Sequence, residues 1–416
     1  MLHSLGWSGH VHPLLAVAQG LLAREHAVAM LTATAYRSTV EAAGVTYLPP
    51  ARSPDRDYNR LDATFRELRG LPNAEVLARL FGDIAVQDAP AQGHDLVTSS
   101  AAWRPDVLVN DGIALGVPLA AGLLRLPWAT VSPFLICTIP DPDLPPPFLG
   151  VPWSACRRDQ AMAVLLKRAV DLRLTRASRR WRTIAAAWKV AAPASKVHTA
   201  GSSPLLYLYP GGPPLEYPRR RWPARAHGVG PLFIGSIPGP IGPRSDRPRI
   251  FLTEGTTHTD RWLSRLAMRA LAELPVDLMV ALGDQTPNEN IGPLPANTTT
   301  YRYVNYRAAL NGAALLITNG GAGSLAAALE AGVPALILPA GLDKAAAAQR
   351  LASAGAGLRL PPAERCSPAR FREAALALIE QPRYQRSAKA VGEQLLALGG
   401  AARAASLLVN LTMPQP

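Results

Sequence analysis

Short apolar runs, each followed by a stretch with apolar residues at helical spacing, recur along the chain. Met1 to Leu5 reads as a first strand, and Pro13 to Arg24 as a helix opening at proline, whose fixed φ and missing N–H suit a first turn. "HAVAMLTA", His26 to Ala33, predicts a second strand, and "PDVLVND", Pro105 to Asp111, another that ends on a carboxylate. After Arg249 the alternation resumes: "RIFLTEGTT", "VDLMVALG", "NTTTYRYV", "ALLITNGGAG" and "VPALILPA" each contain a strand. Strands alternating with helices imply parallel sheets. No repeat of solenoid period is visible, although the two halves share a layout.

The interruptions divide the chain. Residues 50–100 mix Arg, Asp and Pro with weak helical periodicity, and "PDPDLPPPFLGVP", Pro140 to Pro152, excludes regular structure. Such long excursions from a compact sheet are usually functional, so both are expected to wall a substrate cleft. "GVGPLFIGSIPGPIGPRSDRPR", Gly228 to Arg249, accumulates Pro and Gly without periodicity and reads as a linker. The expected organisation is an N-terminal domain over 1–227, a linker over 228–249 and a C-terminal domain over 250–416, with Tyr384 to Leu411 crossing back toward the first domain. The predicted class is α/β, with two Rossmann-like domains whose parallel sheets face a central cleft.

Composition adds limits. A chain of 416 residues exceeds what one core usually supports, in keeping with two domains. At 48% hydrophobic and 18% charged residues, with no uninterrupted apolar run of membrane-spanning length and no signal peptide ahead of the first strand, a soluble cytoplasmic protein is expected. Cys137, Cys156 and Cys366 have neither metal-ligand nor redox spacing. The formal charge of +13 is partly local, because nine Lys and Arg residues crowd positions 157–182 beside Leu165, Leu166, Leu172 and Trp181. That stretch reads as an amphipathic helix with a solvated basic face, or as a membrane-surface contact. Nucleic acid is disfavoured, since no zinc-finger spacing, aromatic RNA-binding motif or compact recognition helix accompanies the charge.

Three stretches carry chemistry. "SLGWSGHVHP" places His10 in a turn between strand and helix, with Gly6 and Gly9 to bend the chain, at the sheet edge where open α/β folds bind ligands. "TNGGAGSLAAALEAGVP", Thr318 to Pro334, ends a strand, turns through Gly320, Gly321 and Gly323, and opens a helix whose unpaired amides and partial positive charge suit a phosphate. "PAGLDKAAAAQR" sets Asp343 and Lys344 on the neighbouring loop, one able to accept from hydroxyls and the other to neutralise phosphate.

With these residues the chain resembles, over essentially its whole length, the two-domain GT-B glycosyltransferases that use nucleotide sugars to modify small molecules and natural products. "GWSGHVHP" looks like the family's glycine-rich turn followed by His and Pro. The common His-Gly-Gly-x-Gly-Thr, Gly-Val-Pro and Asp-Gln marks are "NGGAGS", "GVP" and "DK" here. One branch is similar in pairing Asn-Gly-Gly with Asp-Lys and in carrying a turn like "TEGT", Thr253 to Thr256. The resemblance implies that His10 is the general base and that Asp111 orients it. It implies donor contacts from Gly255, Thr256, Val304, Asn319, Gly320, Gly321, Gly323, Ser324, Asp343 and Lys344. The acid that many relatives use on the donor ribose falls at Ala327, with Glu330 one turn later.

The implied reaction is inverting transfer from a UDP- or dTDP-sugar co-substrate to a small hydrophobic acceptor, with no cofactor and no metal. Trp7 and Phe134 are candidates for the acceptor pocket or for ordinary core. His12, His94, His198, His227 and His258 match no family position and read as structural or exposed. Two other readings fit the sequence: a non-catalytic partner of another transferase, suggested by Ala327, Asn319 and the very short first strand, and a peripheral membrane glycolipid transferase, suggested by the basic stretch.

Overall fold

The computed structural model describes the chain except residues 61–63, 69–70, 155, 191–195, 236–240, 243–244, 256–260, 284–290 and 413–416. Among the described residues there are two parallel sheets, each covered by helices. The first has seven strands in the order β3-β2-β1-β4-β5-β6-β7: β1 Leu2–His3, β2 Ala29–Leu31, β3 Thr46–Leu48, β4 Leu108–Asn110, β5 Trp128–Val131, β6 Leu206–Tyr209 and β7 Ala226–Gly228. The second has six, β10-β9-β8-β11-β12-β13: β8 Arg249–Thr253, β9 Asp277–Ala281, β10 Thr298–Tyr301, β11 Leu315–Thr318, β12 Ala335–Ile337 and β13 Gly357–Arg359. Central strands such as β11 and β5 are buried along their whole length, as continuous apolar strands of a two-faced parallel sheet should be. Strands β3, β5, β6, β7 and β13 are not among those the hydrophobic pattern predicts.

The first helix starts earlier than its proline suggests. It runs Ser8–Leu22 with Pro13 inside it, and β1 holds only Leu2–His3. The Trp7 carbonyl accepts the amides of His10 at 2.8 Å and Val11 at 2.9 Å, so the turn before the proline is already helical. Pro13 forgoes only the bond that its own amide would have made to Gly9. His10 and His12 therefore sit on the helix rather than in the turn before it. Gly6 is needed for close approach, since a Cβ there would lie 2.3 Å from the Arg56 carbonyl oxygen, whereas a Cβ at Gly9 would meet nothing.

The segment 50–100 is only half excursion. Asn73–Arg79 and Ala85–Trp103 are α-helical, joined by a π-helical turn at Leu80–Ile84. Gly82, Pro90 and Gly93 obscure the periodicity in sequence, yet Gly82 and Gly93 admit close neighbours, Ala177 and Trp188. The basic stretch is two helices, Arg157–Arg173 and Thr175–Ala187; the second buries Trp181, while Leu165 and Leu172 on the first are 59% and 79% exposed.

Near the C-terminus, Pro382–Leu411 is long and apolar enough on average to cross a membrane, but it is two helices, Pro382–Leu396 and Gly400–Thr412, separated at Ala397 to Gly399. The first packs on Ala322–Glu330, where a Cβ at Gly392 would lie 1.8 Å from the Leu329 oxygen. The second lies on Ser8–Leu22: Ala404 and Leu408 share a core with Val11 and Leu14, and Arg24 donates to Ser406 at 2.5 Å.

Candidate active site

In each sheet the strand order reverses between two neighbours, β1 with β4 and β8 with β11. Open α/β sheets bind ligands at such switch points, because the connections on either side diverge to opposite faces and leave a crevice at the strands' carboxyl ends. His3 pairs with Asn110 and Thr318 with Thr253. Asp111 thus follows β4 beside the turn after β1, and Asn319 follows β11 beside the turn after β8. Residues from both switch points line one cleft of about 460 Å³, including His10 and Phe134 on one side and Asn319, Gly323 and Lys344 on the other.

On the first side, His10 Nδ1 lies 2.9 Å from Asp111 Oδ2, with both side chains buried. The same oxygen accepts the Leu5 amide at 2.9 Å and the Ser4 hydroxyl at 3.4 Å, while Oδ1 accepts the amides of Ile113 at 2.9 Å and Ala114 at 2.8 Å. Burial alone would raise the Asp111 carboxyl, but His10 and these donors overcome it and hold the group well below the usual carboxylate range. A fixed carboxylate on Nδ1 makes that nitrogen the one carrying hydrogen and leaves Nε2 as the acceptor. The imidazole stacks on the Trp7 indole, with centroids 5.1 Å apart and planes 3° apart, and meets Phe134 edge-on at 6.0 Å.

On the second side, Gly320 takes φ +95°, a left-handed conformation suited to glycine, and Gly321 caps the helix Ala322–Glu330 without a side chain to occupy its amides. A Cβ at Gly323 would meet nothing, so the first helical turn is open for backbone contact. Ser324 Oγ is turned inward, donating to the Gly321 carbonyl at 2.9 Å and lying 3.1 Å from Thr318 Oγ1. Asn319 is buried and donates from Nδ2 to the Glu254 carbonyl, tying this turn to the one after β8. Gly255 there has φ +69° and lines the cleft, as does Val304 after β10. Thr256 and His258 lie outside the described residues.

Asp343 and Lys344 open the helix Lys344–Ser353 on the cleft wall. Burial pushes the Asp343 carboxyl up, against the pull of Lys344 and His10. Burial also lowers the Lys344 ammonium to about 8, against Asp343 and Glu254. Ala327 is fully buried, and Glu330 is engaged: both its oxygens are held by Arg307, at 2.7 and 2.8 Å. Glu330 therefore does not present an open carboxylate one turn after Ala327.

Several lining residues carry no legible signal in sequence. Tyr58 and Phe148 come from the two excursions, and Phe81 from the π-helical turn; Phe148 meets Phe134 edge-on at 5.1 Å and Phe81 at a 38° tilt at 5.7 Å. Arg307 lines the cleft and lies over Phe233 of the Pro/Gly-rich segment. His12 also lines the cleft, where burial lowers its pKa, so it is not merely a structural histidine of the helix. His94 meets Trp188 at a tilt, with ring centroids 4.8 Å apart, His198 is mostly buried, and His227 lies in β7; none lines the cleft.

Comparison with known proteins gives the same direction. Residues 265–411 match the family model of the erythromycin biosynthesis protein CIII-like C-terminal domain. The chain is 30% identical over 416 residues to 4'-demethylrebeccamycin synthase of Lentzea aerocolonigenes, covering 97% of each sequence. Among solved structures, the kitacinnamycin glycosyltransferase superposes with a TM-score of 0.75 at 20% identity, over 99% of this chain and 97% of that one. The spinosyn rhamnosyltransferase SpnG complexed with thymidine diphosphate gives 0.72 at 19% identity, over 99% and 100%.

Proposed function

The chain belongs to the nucleotide-sugar-dependent GT-B glycosyltransferases of natural-product biosynthesis, and we propose that it performs an inverting transfer with His10 as general base. The observation carrying this reading is the buried His10–Asp111 pair, 2.9 Å apart, in the same cleft as the open amides of Gly321 to Ser324. Nε2 takes the proton of an acceptor hydroxyl or similar nucleophile. The acceptor atom bonds to the anomeric carbon, the bond from that carbon to the diphosphate oxygen breaks, and the nucleoside diphosphate leaves with the electron pair. Its growing charge is met by the helix N-terminus and Lys344, while Asp343 accepts from sugar hydroxyls.

The thymidine diphosphate bound by SpnG supports a dTDP-sugar, with a UDP-sugar as the other donor to test. Trp7, Phe134, Phe81 and Phe148 suit a small hydrophobic acceptor. The free cysteines Cys137, Cys156 and Cys366 accord with a cytoplasmic setting. The decisive experiment titrates the protein with dTDP and UDP by calorimetry and follows transfer to aromatic aglycones. Binding of neither nucleotide would favour the non-catalytic partner reading.

A second reading, contact with an anionic membrane surface, is favoured by Leu165 and Leu172 standing exposed on a helix that carries Arg157, Arg158, Lys167, Arg168 and Arg173. Salt-dependent sedimentation with phosphatidylserine vesicles tests it, and absence of binding at low salt would remove it.

A further inference from the structure

We infer that the excursion around Tyr58 works through Trp7 to fix the plane of the His10 imidazole, making Trp7 and Tyr58 positioning residues rather than walls of the acceptor site alone. The inference rests on the reading of His10 as base. Three rings lie in series. His10 stacks on Trp7 at 5.1 Å and 3°, and Trp7 stacks on Tyr58 at 6.1 Å and 17°. Tyr58 is supported by Phe65 at 5.4 Å, and the Arg56 guanidinium lies over Phe65 while pairing with the buried Asp88.

The backbone is tied at the same place. The Tyr58 amide donates to the Gly6 carbonyl at 2.9 Å, and Asn59 Oδ1 accepts both the Ser8 amide at 3.1 Å and the Ser8 hydroxyl at 2.5 Å. Asn59 thereby satisfies one of the first amides of the helix that carries His10, which its own N-cap Trp7 leaves without a side-chain partner.

The physical need is specific. The contact to Asp111 fixes where Nδ1 sits, but a single hydrogen bond tolerates tilting of the ring about its axis, and tilting sweeps Nε2 through an arc. A flat indole 3° from parallel on one face and the Phe134 edge on another remove that freedom. Misplacement of a reacting group by about 1 Å can cost roughly a hundredfold in rate. Trp7 and His10 are three residues apart with Trp7 at the N-cap, so the stack follows from where the helix begins.

The test compares Trp7→Leu, Trp7→Phe, Tyr58→Leu and the double variant Trp7→Leu/Tyr58→Leu with His10→Ala. Each is checked for its melting temperature and for nucleoside diphosphate affinity. Trp7→Leu should lower kcat about ten- to hundredfold while acceptor KM and nucleotide affinity change little, and Trp7→Phe should recover most of the loss. Tyr58→Leu should have a smaller effect on kcat, absent in the double variant, because Tyr58 acts through Trp7. Selective labelling of histidine gives a readout independent of turnover: the His10 ring protons, shifted upfield by the indole, should move downfield in Trp7→Leu and only partly in Trp7→Phe.

A rise in acceptor KM with unchanged kcat would make Trp7 a wall of the acceptor site and overturn the inference. Multiplicative effects in the double variant would overturn the serial arrangement. If His10→Ala turned over normally, the base reading itself would fall; if only His10→Ala lost turnover, the base would stand and the stack would have no role.

Discussion

The two switch points of this molecule have the same topology and opposite chemistry. Beside β1 and β4 the charge is enclosed: Asp111 receives Leu5, Ile113, Ala114, Ser4 and His10, so its lone pairs are committed before any ligand arrives. Beside β8 and β11 the turn's own side chains are tied inward, Asn319 to the Glu254 carbonyl and Ser324 to the Gly321 carbonyl, and what is open is backbone: a glycine N-cap and an empty position at Gly323, beside a buried lysine whose charge burial weakens. A base must be held in one geometry and one tautomer, which a closed network supplies. A departing anion must be received and released, which open amides allow. The difference teaches that the fold provides two equivalent crevices and that side chains decide which one is rigid.

The largest effect should follow from removing the enclosed side. His10→Ala is expected to reduce turnover by about 10²- to 10⁴-fold while calorimetry gives an unchanged dTDP affinity, because the base and the amide turn belong to different sheets. A parallel loss of nucleotide affinity would break the division between the halves. Asp111→Asn should come next, at roughly 10²- to 10⁴-fold in kcat, since the amide no longer selects the tautomer with hydrogen on Nδ1. Steady-state kinetics with unchanged kcat would show that the surrounding bonds, rather than the charge, hold the ring.

Removing the ammonium from the open side should act on binding. If Lys344 makes a charge-assisted bond to the diphosphate, Lys344→Ala costs about 1.5–3 kcal/mol, roughly a 10- to 150-fold weaker dTDP. Because Lys344 is lowered to about 8, wild-type affinity should decline as pH rises through that value, and the decline should vanish in Lys344→Ala. Equal affinities of the two proteins at pH 7 would show that the amides suffice.

The smallest effect lies where the halves meet. Glu216, after β6, and Arg350, on the helix Lys344–Ser353, are both buried, with Oε2 and Nη1 3.9 Å apart. Burial raises the Glu216 carboxyl from 4.5 to about 7, against the pull of Arg350, the Cys137 amide and Arg219. The folded state thus keeps a proton that the unfolded chain gives up. Its contribution to stability is fully present below about pH 4.5 and is lost as pH rises to about 7. Glu216→Gln cannot release that proton, so its melting temperature relative to wild type should climb by a few degrees across this window and then level. Parallel melting curves would exclude the titration.

Of these two crevices, the open one was the more legible in sequence. Three glycines between an apolar run and an alanine-rich helix specify a tight turn at a helix N-terminus through local backbone chemistry alone, and such a turn stands after β11. The strand-helix alternation likewise declared two parallel sheets, because burial of both faces demands continuous apolar strands. His10 was visible in a glycine turn after the first strand and Asp111 as the polar end of another strand, and the family resemblance paired them; 101 positions separate them, and the pairing of β1 with β4 is what brings them within 2.9 Å.

Local signals misled where tertiary contacts override them. Pro13 pointed to a helix start, yet Asn59, from a distant excursion, supports a start at Ser8. Glu330, one turn after Ala327, is an acid that sequence leaves unassigned, and Arg307 occupies both its oxygens. The sequence by itself determined the two-sheet α/β architecture and the glycine turn, since both depend on residue type over a few consecutive positions. The tertiary structure alone decided the His10–Trp7–Tyr58 stack, the Arg307–Glu330 pair and the open face at Gly323, since each depends on which distant segment, if any, packs against it.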